Sequence, residues 1–484
     1  MQDAILVFSR NARQAGLIAR TLRYREVRCL PLPFDTRAAQ ALELAPRGII
    51  LAAEGFGKDA LDGLDFSLLS GSLPVLALGG AAALLCSHFG GSLAPMDAPR
   101  ASVTLGLSDC PLFRGIDSGE RMLGGIAQLT LPSGLEPIAT ATERVIGYRH
   151  RALPLYAMQY PIERNDPDAA QMLYNFATDI CGAQTSWTDD AIIDQAVERI
   201  RSAAPKGRVL CAVSGGVDSA VCAKLAGLAV GDRLHCVFVD TGLFRQDEPD
   251  AVIRTYQDAM GLMVARVDAA EYFLNALSGL STPREKERAA ARLMTRVLVR
   301  QLDYDSEIGT IVMGTNFNDT LFGFSPSSGE RDAPLQGVAI CEPISELFKE
   351  EVRRLAVALG LPAEIASRQP FPSSGLALRV MSVVTEEKLT LLRRADACFT
   401  QEICAAGLDR RLWQYYATLV ESPDQPGSYA ACLRATQAGQ GGASAARIPF
   451  DVLERAAARI RRELPDITRV VYDLTPSAHY GELE

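Results

Sequence analysis

Short apolar runs alternate with stretches of helical period through the first three quarters of the chain. Residues 4–8, 48–52 and 74–78 read as strands and residues 12–24 as an amphipathic helix. Further strands are expected at 144–148 and 155–159, and a helix at 168–181. A linker-like stretch, 182–186, precedes Thr188 and Asp189, either of which can cap a helix at 190–203. The alternation then restarts: strands at 208–213, 234–239, 265–267 and 309–313, and a helix at 346–359. Strands alternating with helices imply parallel sheets with helical crossovers. From 371 the pattern changes to a long helix at 385–407, short strands near 428–433, a helix at 450–464 and a strand at 468–472; residues 435–446, rich in Ala, Gly and Gln, read as a flexible loop. The fold class is therefore α/β: two doubly wound parallel-sheet domains, 1–184 and 185–370, followed by a smaller α+β domain, 371–484.

Composition narrows the function classes. A length of 484 residues suits roughly three domains of about 150 residues each. The net charge is −9, with 49 Lys+Arg against 58 Asp+Glu and no basic run, so no nucleic-acid partner is expected. No apolar stretch reaches the roughly 18 residues of a membrane span, and the acidic start does not resemble a secretory signal, which points to a cytoplasmic protein without a membrane partner. The 11 cysteines include no CxxC pair, and the four histidines are not at metal-ligand spacing, so neither a disulfide framework nor a transition-metal site is expected.

The chemistry sits at Ser214-Gly215-Gly216-Val217-Asp218-Ser219, between a predicted strand and a predicted helix. Small residues let the backbone approach an anion, successive N–H groups point inward, and the helix N-terminus adds partial positive charge. Ser214 and Ser219 can donate to a pyrophosphate, and Asp218 can help hold Mg²⁺. A glycine-rich turn can be purely structural, but six specified residues in a strand-to-helix context favour a phosphate site. The Walker lysine is missing, which argues against γ-phosphate hydrolysis. Asp240, at the end of the next predicted strand, is a candidate for adenosine recognition, with a helix-capping role as the alternative.

The loop is similar to that of the N-type ATP pyrophosphatases (PP-loop enzymes), which cleave ATP between the α- and β-phosphates. Along nearly its whole length the chain resembles the GMP synthetase family. The resemblance is carried by 236–243 (CVFVDTGL), 342–353 (EPISELFKEEVR), 391–397 (LLRRADA) and 469–473 (RVVYD). It implies a glutamine amidotransferase, an ATP pyrophosphatase and a C-terminal dimerisation domain, with ATP and Mg²⁺ as cofactors, adenylation of a carbonyl-type oxygen of a small-molecule substrate, and a homodimer.

Three departures fall on functional positions. Where the family places its nucleophilic cysteine, the chain has Gly79; the catalytic H-P-E appears as Pro161-Ile162-Glu163, and the oxyanion-side S-G-G-P as Ala52-Ala53-Glu54-Gly55. Without thiolate and base, this domain is not expected to hydrolyse glutamine. Cys86, in an apolar helix, reads as core rather than a relocated nucleophile. The family's nucleotide-binding D-P-E-x-K-R-K becomes Thr282-Pro283-Arg284-Glu285-Lys286-Glu287-Arg288, so Lys286 and Arg288 remain candidate substrate contacts while Glu287 repels a phosphate. Arg434 and Glu482 are candidate lid residues, with surface ion pairs as the alternative. The stretch after Gly314 is shorter than in the family and begins Gly314-Thr315-Asn316-Phe317-Asn318-Asp319, similar to PP-loop enzymes that deliver sulfur or activate other substrates. Asn316 is a candidate nucleotide contact and Asp319 a candidate Mg²⁺ ligand, with loop caps as the alternative.

Three functions follow. The first is an adenylating ligase that uses ammonia from elsewhere, including a separate donor protein, or acts on a substrate other than xanthosine monophosphate. The second delivers sulfur from a donor protein, with Cys211 and Cys341 near the sheet edge as candidate thiols and a buried core role as the favoured alternative for both. The third is a non-catalytic ATP-binding regulator.

Overall fold

The apolar runs of the first half become adjacent strands. The computed structural model describes residues 3–475 apart from 70, 96–100, 161, 164, 322–337, 367, 370, 373, 423–424 and 440–441. The chain forms two units, Met1–Ile192 and Ile193–Glu484.

In the first unit, strands Cys29–Leu32, Ile5–Ser9, Gly48–Ala53, Val75–Gly79 and Leu155–Met158 lie in that order, all parallel. Ile5–Ser9 and Gly48–Ala53 are buried throughout, as expected of strands covered on both faces. Asn11 caps helix Ala12–Arg23 by accepting from the N–H groups of Arg13 and Gln14. Beyond the parallel strands the sheet continues antiparallel through Arg144–His150, Leu135–Ala141, Ala101–Leu107 and Gly119–Leu123. The last three were not expected. Two of them, Ala101–Leu107 and Gly119–Leu123, are largely exposed, although the first alternates apolar Val103, Leu105 and Leu107 with Ser102, Thr104 and Gly106, a strand period that the sequence reading passed over. The helix expected at 168–181 is α-helical over Pro167–Asn175 and widens into a π turn over Phe176–Ile180.

Helix Asp189–Ala203, whose start is capped by Thr188 Oγ1, 3.3 Å from Ala191 N, runs across the boundary into the second unit. Five parallel strands follow in the spatial order Val264–Asp268, Leu234–Asp240, Arg208–Val213, Ile308–Val312, Ala339–Cys341. The order reverses direction between Arg208–Val213 and Ile308–Val312. In an open parallel sheet this is where the crossover helices diverge to opposite faces and leave a crevice at the carboxyl edge.

The remainder of this unit packs helices Glu386–Ala405 and Phe450–Glu463 on a four-stranded sheet. There Gln414–Glu421 pairs antiparallel with Tyr429–Gly439, and Ile467–Tyr472 pairs parallel with it. One apolar core joins the two sheets: Leu210, Val237 and Ile311 belong to the same cluster as Leu389, Phe399, Leu419 and Leu433. Residues on both sides of position 370 therefore share a core. The expected loop at 435–446 is instead largely a hairpin, because Tyr429–Gly439 turns into Gly442–Ala445 with Thr436 opposite Ala445. Tyr472 Oη fixes its base by donating to Ala446 O at 2.6 Å.

Candidate functional site

The loop Ser214–Gly216 leaves strand Arg208–Val213 at the topological reversal and enters helix Val217–Val230. A glycine is needed at 215: its φ is +80°, and an added Cβ would stand 2.5 Å from both Arg368 Nη1 and Val252 Cγ2. The hydroxyls organise the loop from within. Ser219 Oγ accepts from Ser214 N at 3.2 Å, donates to Gly216 O at 3.0 Å, and lies 3.2 Å from Ser214 Oγ and 3.3 Å from Tyr256 Oη. Val217 is buried beneath the loop. From behind, Arg368 Nη1 donates to Gly215 O at 2.6 Å and Nη2 pairs with Glu248. Burial, reinforced by the nearby Arg245, lowers the Arg368 pKa to about 10.

Asp218, in the first helical turn, is paired through Oδ2 with Lys349 Nζ, while Oδ1 is buried with no hydrogen-bond partner among the described residues. Lys349 opens helix Lys349–Ala358, where Phe348 N donates to Glu351 Oε2 at 2.9 Å. Gly314, beyond strand Ile308–Val312, closes the crevice: a Cβ there would lie 3.1 Å from Ser219 N. The structure thus gathers the Ser214–Ser219 loop, Lys349 and Gly314 at one sheet edge. Sequence reasoning did not assign Lys349, Arg368 or Tyr256. A signal existed for Lys349, a lone cation at the head of a predicted helix inside a matched segment.

The other candidates are placed less centrally. Asp240 is buried, accepts from Gly242 N at 3.0 Å through Oδ1, and pairs through Oδ2 with Arg266, 3.1 Å from its Nε. Asn316 and Asp319 cap the turn at Phe317–Leu321 reciprocally: Asn316 Oδ1 accepts from Asn318 N at 2.8 Å, and Asp319 Oδ2 from Asn316 N at 2.9 Å. Lys286 is 1% exposed and donates to the carbonyls of Ala377, Val380 and Ser382 at 3.2, 2.6 and 2.7 Å. Its ammonium is thereby committed inside the protein. Burial, with Lys388 second, brings its pKa to about 8. Arg288 is exposed. Arg434 is buried, donates to Thr475 O at 2.7 Å and faces Asp473 at 3.6 Å. Glu482 lies outside the described residues. Cys211 and Cys341 are buried, and burial raises both thiol pKa values, that of Cys341 to about 11. Among the described residues, no group of three or more His, Cys, Asp or Glu side chains could hold a metal ion, and no helix is long and apolar enough to cross a membrane.

In the first unit, Gly79 forms a sharp strand-to-helix elbow, with φ 61° and ψ −127°, between Val75–Gly79 and helix Gly80–His88. The segment 53–55 lies directly over it. An added Cβ would stand 2.8 Å from Ala53 O at Gly79, and 1.8 Å from Gly55 O at Gly80. Glu54 is drawn away by Asn11, whose Nδ2 donates to its Oε1 at 2.8 Å. Cys86 is buried and donates weakly to Thr130 O at 3.7 Å; burial raises its pKa. Of the Pro161-Ile162-Glu163 segment, Pro161 lies outside the described residues and Ile162 is buried.

Two family matches cover most of the second unit: NAD synthase over residues 190–391, and the GMP synthase C-terminal domain over residues 401–479. Curated relatives align along nearly the whole chain. The glutamine-hydrolyzing GMP synthase of Thermomicrobium roseum is 34% identical over 500 residues, spanning 98% of this chain and 95% of that protein. That of Symbiobacterium thermophilum is 34% identical over 506 residues, spanning 98% and 97%. That of Parafrankia sp. is 34% identical over 507 residues, spanning 98% and 95%.

Proposed function

The chain belongs to the GMP synthase family and is a PP-loop, ATP-dependent ligase; from that premise we propose that it adenylates a carbonyl-type oxygen of a small molecule and takes its ammonia from outside its own N-terminal unit. The observation that carries the second half is Gly79. The sharp strand-to-helix turn at Gly79 bears no side chain, and the 53–55 backbone occupies the space a side chain would need.

In the activation step the acceptor oxygen attacks the α-phosphorus of ATP and pyrophosphate leaves. The Ser214–Ser219 loop offers backbone N–H groups and the helix N-terminus to the departing charge. Lys349, held at the loop by Asp218, adds a cation there. Mg²⁺ fits the same place: the partnerless Oδ1 of Asp218 suits a hard cation that takes its other ligands from nucleotide phosphates and water. When bound, Mg²⁺ offsets charge on the leaving group. Ammonia then attacks the activated carbon and AMP leaves. The buried, raised-pKa thiols of Cys211 and Cys341 favour nitrogen over sulfur as the incoming nucleophile.

The test is to incubate the full chain with ATP, Mg²⁺ and xanthosine monophosphate, or with acceptors found by ligand-induced stabilisation, and to supply either ammonium or glutamine. AMP and pyrophosphate formation with ammonium alone is expected. Glutamate release from glutamine would overturn the ammonia assignment, and absence of AMP with every acceptor would overturn the ligase reading.

A further inference from the structure

We propose that Arg393, on helix Glu386–Ala405, is a positioning residue for the ATP site: it fixes the backbone of the loop at 241–245, which borders the phosphate loop. The inference rests on the ATP-binding reading above. The 241–245 loop leaves strand Leu234–Asp240, the direct neighbour of the strand that carries Ser214–Ser219. At the carboxyl edge of an open parallel sheet, neighbouring loops of this kind form the walls of the ligand crevice.

Three consecutive carbonyls of that loop are taken by residues far along the chain. Arg393 Nη2 donates to Gly242 O, and its Nε to Phe244 O at 3.0 Å. Between them, Leu243 O accepts from Leu376 N at 2.7 Å. The next residue, Arg245, brings Nε to 3.2 Å from Asp396 Oδ2. Asp396 is 2% exposed and also accepts from Ala417 N at 2.8 Å. Arg393 and Asp396 are three apart on their helix and so share a face.

On its opposite side the loop has little room to move. Gly242 has φ +68°, and an added Cβ there would stand 2.7 Å from Ala270 Cβ. The planar fork of a guanidinium presents Nε and Nη2 to two carbonyls at a fixed spacing, whereas an ammonium is a compact point donor on a flexible stem. Arg393 therefore sets where the loop sits, as Arg368 does for the phosphate loop through Gly215 O.

The experiment measures ATP binding by the full chain in the presence of Mg²⁺, using calorimetry well below the melting temperature. Arg393→Ala should raise the ATP Kd about tenfold, the scale of one charge-assisted hydrogen bond. Arg393→Lys should raise it less. Arg459→Ala breaks ion pairs to Glu463 and Glu402 elsewhere in the same unit and should leave the Kd unchanged. A Kd unaltered in Arg393→Ala, or in Arg393→Lys should the alanine variant fail to fold, overturns the positioning role while leaving ATP binding intact. No ATP binding by the unaltered chain overturns the underlying site as well.

Discussion

Lys349 Nζ is bonded to Asp218 Oδ2 from 131 residues further along the chain. Both side chains are about one-fifth exposed, so the pair is partly shielded yet open to a ligand. Removing either partner should reduce ATP cleavage while the fold survives. Asp218→Ala and Lys349→Ala are each expected to lower kcat at least about 100-fold, the scale seen when one group stabilising a charged transition state is deleted. Pyrophosphate release at saturating ATP reads this out, and a loss below tenfold in both would remove the pair from the catalytic step.

Gly215 and Gly216 should respond differently to alanine. At Gly215 the φ of +80° and the contacts to Val252 and Arg368 make a methyl group costly, by about 1–3 kcal/mol. At Gly216 φ is −72° and a Cβ meets only Ser214 Oγ, at 3.4 Å. Urea unfolding should show a clear loss for Gly215→Ala and a change within about 1 kcal/mol for Gly216→Ala.

On the proposed reading, placing a cysteine at position 79 should not confer glutamine hydrolysis. Gly79→Cys puts a Cβ against Ala53 O in a backbone conformation that L side chains rarely adopt. The expected result is lower stability and no glutamate release. Measurable glutaminase activity would show that the 53–55 segment moves aside.

Thiol reactivity should follow burial. Iodoacetamide on the native protein should label Cys404, which is exposed, and leave Cys211, Cys222 and Cys341 unmodified, since burial raises the pKa of all three. Peptide mass mapping decides this, and rapid labelling of Cys211 or Cys341 would revive the sulfur-transfer reading.

Lys286 should leave a pH signature. Its folded pKa of about 8 lies below the ordinary 10.5, so the unfolded chain holds the proton more tightly. Folding therefore releases a proton between those values, and stability rises with pH across that window. Lys286→Met should flatten this slope in unfolding curves collected from pH 7.5 to 10.5.

The phosphate loop was legible in the sequence because its six residues are contiguous and their strand-to-helix setting is local. The strand-to-helix elbow at Gly79 was legible for the same reason, as a local glycine pattern after an apolar run. The 435–446 hairpin was not. Its Ala- and Gly-rich sequence carries no strand period, and its pairing is held by Tyr472 from a different strand.

What the sequence determined by itself was the alternation of helices with the parallel strands and the kind of chemistry the loop performs, all set by period and by neighbours a few residues apart. Tertiary structure alone decided which distant charges meet. It brought Lys349 to Asp218 and Arg368 to Gly215, paired Asp240 with Arg266, and drew Lys286 into the core. The reason is physical. A buried charge or carbonyl must find a partner, and packing rather than chain proximity supplies it.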